Sequence, residues 1–183
     1  MNGQLPFEGD TFIRAEIEKL RDKFKIKNCI ETGTQYGATT KALAEIFERV
    51  ITIEADSEYL EIAKSNVDSD NVTFVDGKSE ELLTEFNTDN VLYYLDAHGC
   101  NVGGCPLKNE LEIIRDHNHR NVCIVIHDFK VPGKDFGFDA YDYELKFEEI
   151  EDQLFEIYKD GFGYHYNEEA NGANRGIIYI YPI

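Results

Sequence analysis

Apolar residues recur along this chain with two periods, and the two periods alternate. Phe12, Ile13, Ile17, Leu20 and Phe24 follow a start signal at Asp10-Thr11 with the three-to-four-residue spacing of one helix face. A short apolar run over 28–31 comes next and stops at Thr32-Gly33-Thr34. A second helix is predicted over 38–49, with Ala42, Leu43, Ile46 and Phe47 on one face, and then a β-rich run over 50–54, short and bounded as a buried strand is. In the same step, Asp56 or Ser57 can cap a helix carrying Leu60 and Ala63, followed by a strand over 72–75. Ser79 can cap another with Leu82, Leu83 and Phe86, followed by a strand over 91–95. Pro106 suits the first turn of a helix with Leu107, Leu111 and Ile114, and the most apolar strand lies at 122–126. A long acidic helix then turns Phe147, Ile150, Leu154 and Ile157 inward and stops at Gly161.

The chain closes with two aromatic runs, 162–166 and 175–181, with no helix between them. They predict an antiparallel hairpin at a sheet edge. Five strand–helix alternations before it require a parallel sheet with helices on both faces, because parallel crossovers need helices and run right-handed. The expected fold is therefore α/β: a Rossmann-like, doubly wound, mostly parallel seven-stranded sheet with a reversed C-terminal hairpin. No repeat, low-complexity tract or linker divides the chain, so one domain is expected over 1–183, with 1–26 as an N-terminal helical segment.

Composition narrows the function classes. A chain of 183 residues that is 42% hydrophobic can bury a core without disulfides or metals, and 12 Phe and 11 Tyr supply aromatic bulk. Its net charge of −18 repels nucleic-acid phosphates and anionic headgroups, and the basic residues are scattered, so neither nucleic acid nor membrane is an expected partner. Residues 1–10 carry no signal-peptide pattern and no stretch reaches membrane-spanning length. A soluble, cytoplasmic protein is expected. Cys29 and Cys123 fall in apolar runs and read as small buried hydrophobes of a reducing compartment.

In such folds ligands bind beyond the carboxyl ends of the strands. The first strand ends Glu31-Thr32-Gly33-Thr34-Gln35-Tyr36-Gly37, where two glycines let the backbone approach a ligand or simply make an ordinary turn. The second ends Glu54-Ala55-Asp56, placing a carboxylate where it can accept from both hydroxyls of a ribose. The third ends Asp76-Gly77. Each carboxylate taken singly reads as a solvated loop charge, but the ordered set is specific.

From 28 to 128 the order of these motifs resembles the class I S-adenosylmethionine-dependent methyltransferases, and the closing hairpin is similar to that family's reversed last strand. The resemblance implies S-adenosylmethionine as cofactor. It places Glu31, Thr32, Gly33, Thr34 and Gly37 around the methionine part, Glu54 and Ala55 at the ribose, and Asp76 with Gly77 beside the adenine. Asp96 would face the reacting methyl. An acidic crevice suits the sulfonium and ammonium of that cofactor, which has no pyrophosphate to require a third glycine.

The fourth strand leads into Asp96-Ala97-His98 and the fifth ends Ile126-His127-Asp128-Phe129. Neighbouring strands would bring Asp96, His98, His127 and Asp128 to one rim, enough to deprotonate a substrate or hold a divalent metal. These stretches resemble small O-methyltransferases of the macrocin and cephalosporin-hydroxylase-like group, which implies a metal on Asp96, His127 and Asp128. That group commonly holds magnesium with paired acids; with His127 as the first of the pair, manganese, iron or zinc suits the set better than magnesium. The expected activity is methyl transfer to a small-molecule acceptor, at oxygen, by a chain that can also pair into a homo-oligomer. The rivals are a nicotinamide-dependent oxidoreductase, whose Gly-x-Gly-x-x-Gly is missing at Gly33–Ala38, and an inactive cofactor-binding scaffold.

Three further features have plain alternatives. Cys100 and Cys105 lack the second pair of a zinc site and read as incidental thiols in a Gly-rich substrate loop. Phe136, Phe138, Tyr141 and Tyr143, between Lys130 and Tyr143, suggest a lid over the acceptor, or else packing on the sheet edge. His117 and His119 end a helix and read as caps.

Overall fold

The computed structural model describes residues 5–98, 104–117 and 121–183. Seven strands form one sheet: β1 (Asn28–Thr32), β2 (Arg49–Glu54), β3 (Val72–Asp76), β4 (Val91–Leu95), β5 (Val122–Ile126), β6 (Phe162–Tyr166) and β7 (Ile178–Pro182). Their order across the sheet is β3-β2-β1-β4-β5-β7-β6. The first five are parallel. β7 runs antiparallel to both β5 and β6. The hairpin is present as expected, but its second strand is inserted next to β5 and its first forms the edge.

Helices cover both faces because side chains alternate across each strand. Cys29, Val50, Leu92, Tyr94, Cys123 and Tyr179 point to α1 (Phe12–Phe24) and α2 (Ala38–Ile46), meeting Ile13, Ile17, Leu20 and Leu43. Ile30, Ile51, Tyr93, Leu95, Ile124 and Ile180 point the other way, to α5 (Leu107–His117) and α6 (Glu151–Ile157), meeting Leu111, Ile114 and Leu154. Each fully buried Leu or Ile stabilises by about 1.5–3 kcal/mol, so these two layers carry the fold. No helix among the described residues is long and apolar enough to cross a membrane.

Several boundaries differ from the periodicity. α2 stops at Ile46 rather than 49, because Phe47 turns extended and the ladder with β1 already begins at Arg49, opposite Asn28. Between α3 (Ser57–Asn66) and β4, the helix expected from Ser79 is one turn, α4 (Ser79–Leu82), closed by a 3-10 turn over Leu83–Glu85 that buries Leu83 completely. Lys78 occupies its N-cap without a side-chain bond, and Ser79 is buried. The long acidic helix is broken at Ile150 into a 3-10 turn, Phe147–Glu149, and α6. Glu151 and Asp152 favour a fresh helix start there, while the apolar spacing is met either way. β7 begins at Ile178, leaving Arg175 outside the ladder.

Two polar details position the strand ends. Of the two candidate caps for α3, Asp56 takes the role, accepting from the Glu58 and Tyr59 N–H groups, whereas the Ser57 hydroxyl donates to Asp76. Glu31 is buried completely in the sheet centre. Its Oε2 accepts from Thr40 Oγ1 at 2.5 Å and Thr52 Oγ1 at 2.6 Å, and its Oε1 has no hydrogen-bond partner. Burial pushes its carboxyl up to about 8 against the opposing pull of the two hydroxyls.

Asp56→Ala is expected to lower stability by about 0.5–2 kcal/mol, and Ser57→Ala to leave the cap intact; urea unfolding of the two variants separates them. Because Glu31 has a folded pKa of about 8 against 4.5 for the free side chain, its contribution is full below pH 4.5 and is lost as pH rises through 8. Glu31→Gln should reduce the wild-type loss of stability between pH 5 and 8.5 by on the order of 3 kcal/mol. Parallel pH profiles of the two proteins would show that Glu31 is already ionised in the fold.

Candidate active site

The sheet's hydrogen-bond ladder continues one residue past the strands at their carboxyl ends. Gly33 N–H donates to Ile53, Gly77 to Glu54, Asp96 to Thr32 and His127 to Leu95, all through backbone carbonyls. Four strand-end residues are thereby set side by side on one rim. At Gly33 (φ +87) a Cβ would lie 2.4 Å from the Asp96 carbonyl oxygen, so the absence of a side chain lets the chain after β1 lie close against the end of β4. A Cβ on Gly37 would meet Val67 and Ala63 at 2.8 and 3.1 Å, which ties that glycine to the packing of α3.

A cleft opens above the rim. Its larger part is a cavity of about 480 Å³ whose wall includes Gly33, Thr34, Glu54, Asp96, His98 and Asp128. A smaller recess shares Gly33 and Glu54 and extends past Ala55, Gly77, Ser79 and Pro106. Glu54 stands where the two parts meet. It is 3% exposed, with Oε2 accepting from Gln35 N–H at 2.7 Å and Oε1 from Asp56 N–H at 2.9 Å. Two backbone donors fix the carboxylate in one orientation and leave lone pairs on both oxygens.

At the other end Asp96, His98, His127 and Asp128 come together as the sequence predicts. His127 Nδ1 lies 3.5 Å from Asp96 Oδ1 and 3.3 Å from Asp128 Oδ1. Burial disfavours its charge, but Asp96 and Asp128 outweigh that and raise its pKa well above the usual imidazole value. The two acids thereby favour the charged imidazolium. His98 is spent differently. Its Nε2 is 2.9 Å from the His127 carbonyl oxygen, which can only accept, so this nitrogen carries hydrogen. It stands 3.8 Å from Asp96 and Asp128, acting mainly as a brace.

Three residues that the sequence reading missed complete the cluster. Arg175 donates through Nε to Asp128 Oδ1 and through Nη2 to Asp139 Oδ1. Asp128 is in the left-handed region (φ +56); although burial opposes its charge, His127 and Arg175 hold it well below the ordinary carboxylate range. Glu8 reaches the cavity from a 3-10 turn, Pro6–Gly9, and its carboxylate lies within 4.8 Å of ligating atoms of His127 and Asp128. A signal for Arg175 existed: a strand antiparallel to β5 must start beside the end of β5, so residues just before it belong to the rim. No comparable local signal marks Glu8 or Asp139.

The other predicted residues are placed as follows. Glu31 and Thr32 are buried within the sheet, behind the cavity wall, and Asp76 is exposed with both oxygens accepting from Ser57. From the expected lid, Asp139 lines the cavity. Phe138 and Phe136 instead lie under Lys130 and Lys134, and Tyr143 lies under Lys108 while its hydroxyl donates to Cys105. Cys105 is a free thiol. Cys100 and His119 lie outside the described residues.

Two groups bear on these donor sets, S-adenosylmethionine and a divalent metal. S-adenosylmethionine fits: the cavity gathers Glu8, Glu54, Asp96, Asp128 and Asp139 against the single guanidinium of Arg175, and an acidic wall favours a sulfonium and an ammonium. A divalent metal fits poorly. Asp128, common to both groups of side chains among the described residues that could hold an ion, has its Oδ1 occupied by Arg175, and His98 Nε2 has no lone pair to give.

No family model matches the chain, and no curated protein sequence does. Solved structures do resemble it. An O-methyltransferase from Bacillus cereus in complex with S-adenosylhomocysteine aligns over 97% of this chain and 84% of its own, with 18% identity and a TM-score of 0.63. The O-methyltransferase TomG from Streptomyces achromogenes, involved in tomaymycin synthesis and solved with S-adenosylmethionine, aligns over 92% and 78%, at 13% identity and a TM-score of 0.63. A precorrin 8w decarboxylase from Methanobacterium thermoautotrophicum aligns over 93% and 89%, at 18% identity and a TM-score of 0.59. At these identities the likeness is one of fold: the chain has the Rossmann-like α/β architecture of the methyltransferases, with the reversed seventh strand inserted beside the fifth.

Proposed function

We propose that this chain is an S-adenosylmethionine-dependent methyltransferase that acts on a small-molecule acceptor, at oxygen. The observation that carries the reading is Glu54, a nearly buried carboxylate held by two backbone N–H groups at the junction of a recess and a 480 Å³ cavity. That is the position from which a carboxylate accepts from both ribose hydroxyls. The recess past Ala55, Gly77 and Ser79 is then the adenine side, bordered by Asp76, and the cavity toward Asp96 is the methionine and acceptor side. Glu31, Thr32 and Gly37 support this wall from behind. Two methyltransferases of similar fold, solved with the cofactor or its demethylated product, support the choice of cofactor.

S-adenosylmethionine supplies an electrophilic methyl group on a sulfonium. The residues of this chain position the acceptor and receive its proton. Much of the acceleration in such a displacement comes from holding donor and acceptor in line. Asp96, at the rim with its side chain 23% exposed, is the carboxylate open to the cavity and the assigned proton acceptor. His127, set between Asp96 and Asp128, orients both acids. A carboxylate base suits an acceptor hydroxyl that is itself acidic. Three free thiols, Cys29, Cys105 and Cys123, support the reducing, cytoplasmic setting that goes with this reading.

Calorimetric titration with S-adenosylhomocysteine tests the proposal. The wild type should bind; Glu54→Ala should bind more weakly by about 1–3 kcal/mol, and Asp96→Asn should bind with near wild-type affinity. A wild type that shows no binding heat would end the methyltransferase reading.

A further inference from the structure

The acid cluster at the rim already contains a fixed cation. Arg175 enters from just before β7, and its guanidinium joins Asp128 to Asp139. The surrounding backbone is built around it. Gly176 N–H donates to the Gly137 carbonyl, Gly137 N–H donates to that of Asn174, and Asp139 N–H donates to that of Asp128. A Cβ on Gly137 would lie 2.9 Å from Arg175 Nη1 and 3.2 Å from its Cδ. A Cβ on Gly176 would lie 2.1 Å from the Phe129 carbonyl oxygen. Gly137 thus clears the space in which the guanidinium lies, while Gly176 lets the chain next to Arg175 pass close to the Phe129 carbonyl.

We propose that Arg175 is the resident cation of this site, holding the carboxylates beside Asp96 in the place where a divalent metal would otherwise sit, so that the site works without one. The inference rests on reading the cleft as a methyltransferase site. Its physical basis is the donor set. The two groups of side chains among the described residues that could hold a metal, Asp96–His98–Asp128 and Glu8–His127–Asp128, both run through Asp128, whose Oδ1 accepts from Arg175, and His98 Nε2 donates to a carbonyl. A dication would also be repelled by a guanidinium bonded to one of its own ligands. Arginine suits the role because its fork joins two carboxylates and it stays charged throughout the working pH range. Glu8, Asp96, Asp128 and Asp139 keep the cavity acidic, so the acceptor admitted beside Arg175 is neutral or cationic rather than a polyanion.

The test is a manganese titration of the full chain saturated with S-adenosylhomocysteine, followed by the paramagnetic resonance of free Mn²⁺. The wild type is expected to show no one-to-one site tighter than about 1 mM, and chelator should leave its S-adenosylhomocysteine affinity unchanged. Arg175→Gln should gain a one-to-one manganese site at least about tenfold tighter than any in the wild type, and Arg175→Lys, which keeps the charge, should not. A stoichiometric wild-type site that Asp128→Asn abolishes would overturn the proposal, a readout that stands even if the Arg175 variants fail to fold. Folded Arg175→Gln that takes up no manganese would overturn it too. Wild-type binding of both S-adenosylhomocysteine and manganese would refute this inference while sparing the methyltransferase reading.

Discussion

The site depends on one constraint: the parallel ladder does not stop where the strands stop. Backbone bonds from Gly33, Gly77, Asp96 and His127 carry it one residue further, and those residues are then neighbours whatever their side chains are. A parallel sheet fixes this register strongly, because a slip of one residue would turn Cys29, Leu92 and Cys123 away from α1 and α2. Hydrophobic packing on two faces therefore fixes the position of the polar edge. Chemistry at that edge is borrowed from a core that has no chemistry of its own.

Charge is the second theme. An acidic protein of net charge −18 concentrates carboxylates at its cleft, where each must be paid for by a donor or neutralised. Three solutions occur at the cleft and just behind it. Glu54 takes two backbone N–H groups, Asp128 takes Arg175 and stands beside His127, and burial holds the Glu31 carboxyl up at about 8. Glu110, fully buried on α5 facing the Ser79 and Thr32 hydroxyls, follows Glu31, with burial pushing it to about 7. Carboxylates at similar depth are thus accommodated by different donors.

The same fold in a decarboxylase and in two O-methyltransferases shows why the site has to be argued from its own residues. Here the site's own features are a nearly buried Glu54 held by two backbone N–H groups, Asp96 at the cavity wall, and an arginine within the acids. The aromatic segment over 136–143 contributes Asp139 to the cavity, while Phe136, Phe138 and Tyr143 lie under lysines and Tyr141 donates to Asp139.

The sequence determined the alternation of strands and helices, the two buried faces, the strand-end residues and the meeting of Asp96, His98, His127 and Asp128. All of these follow from periodicity and from the topology that parallel crossovers impose. Boundaries were less legible: the break at Ile150 and the single turn at Ser79 satisfy the same apolar spacing as continuous helices do. Tertiary structure decided the roles. Whether a histidine ligates or braces depends on a carbonyl 2.9 Å away, which for His98 belongs to His127, 29 residues on. Arg175 and Glu8 come from opposite ends of the chain and carry no motif. They reach the rim because β7 starts where β5 ends and because Ala173 N–H binds the Glu8 carbonyl, and neither long-range contact leaves a mark on neighbouring residues.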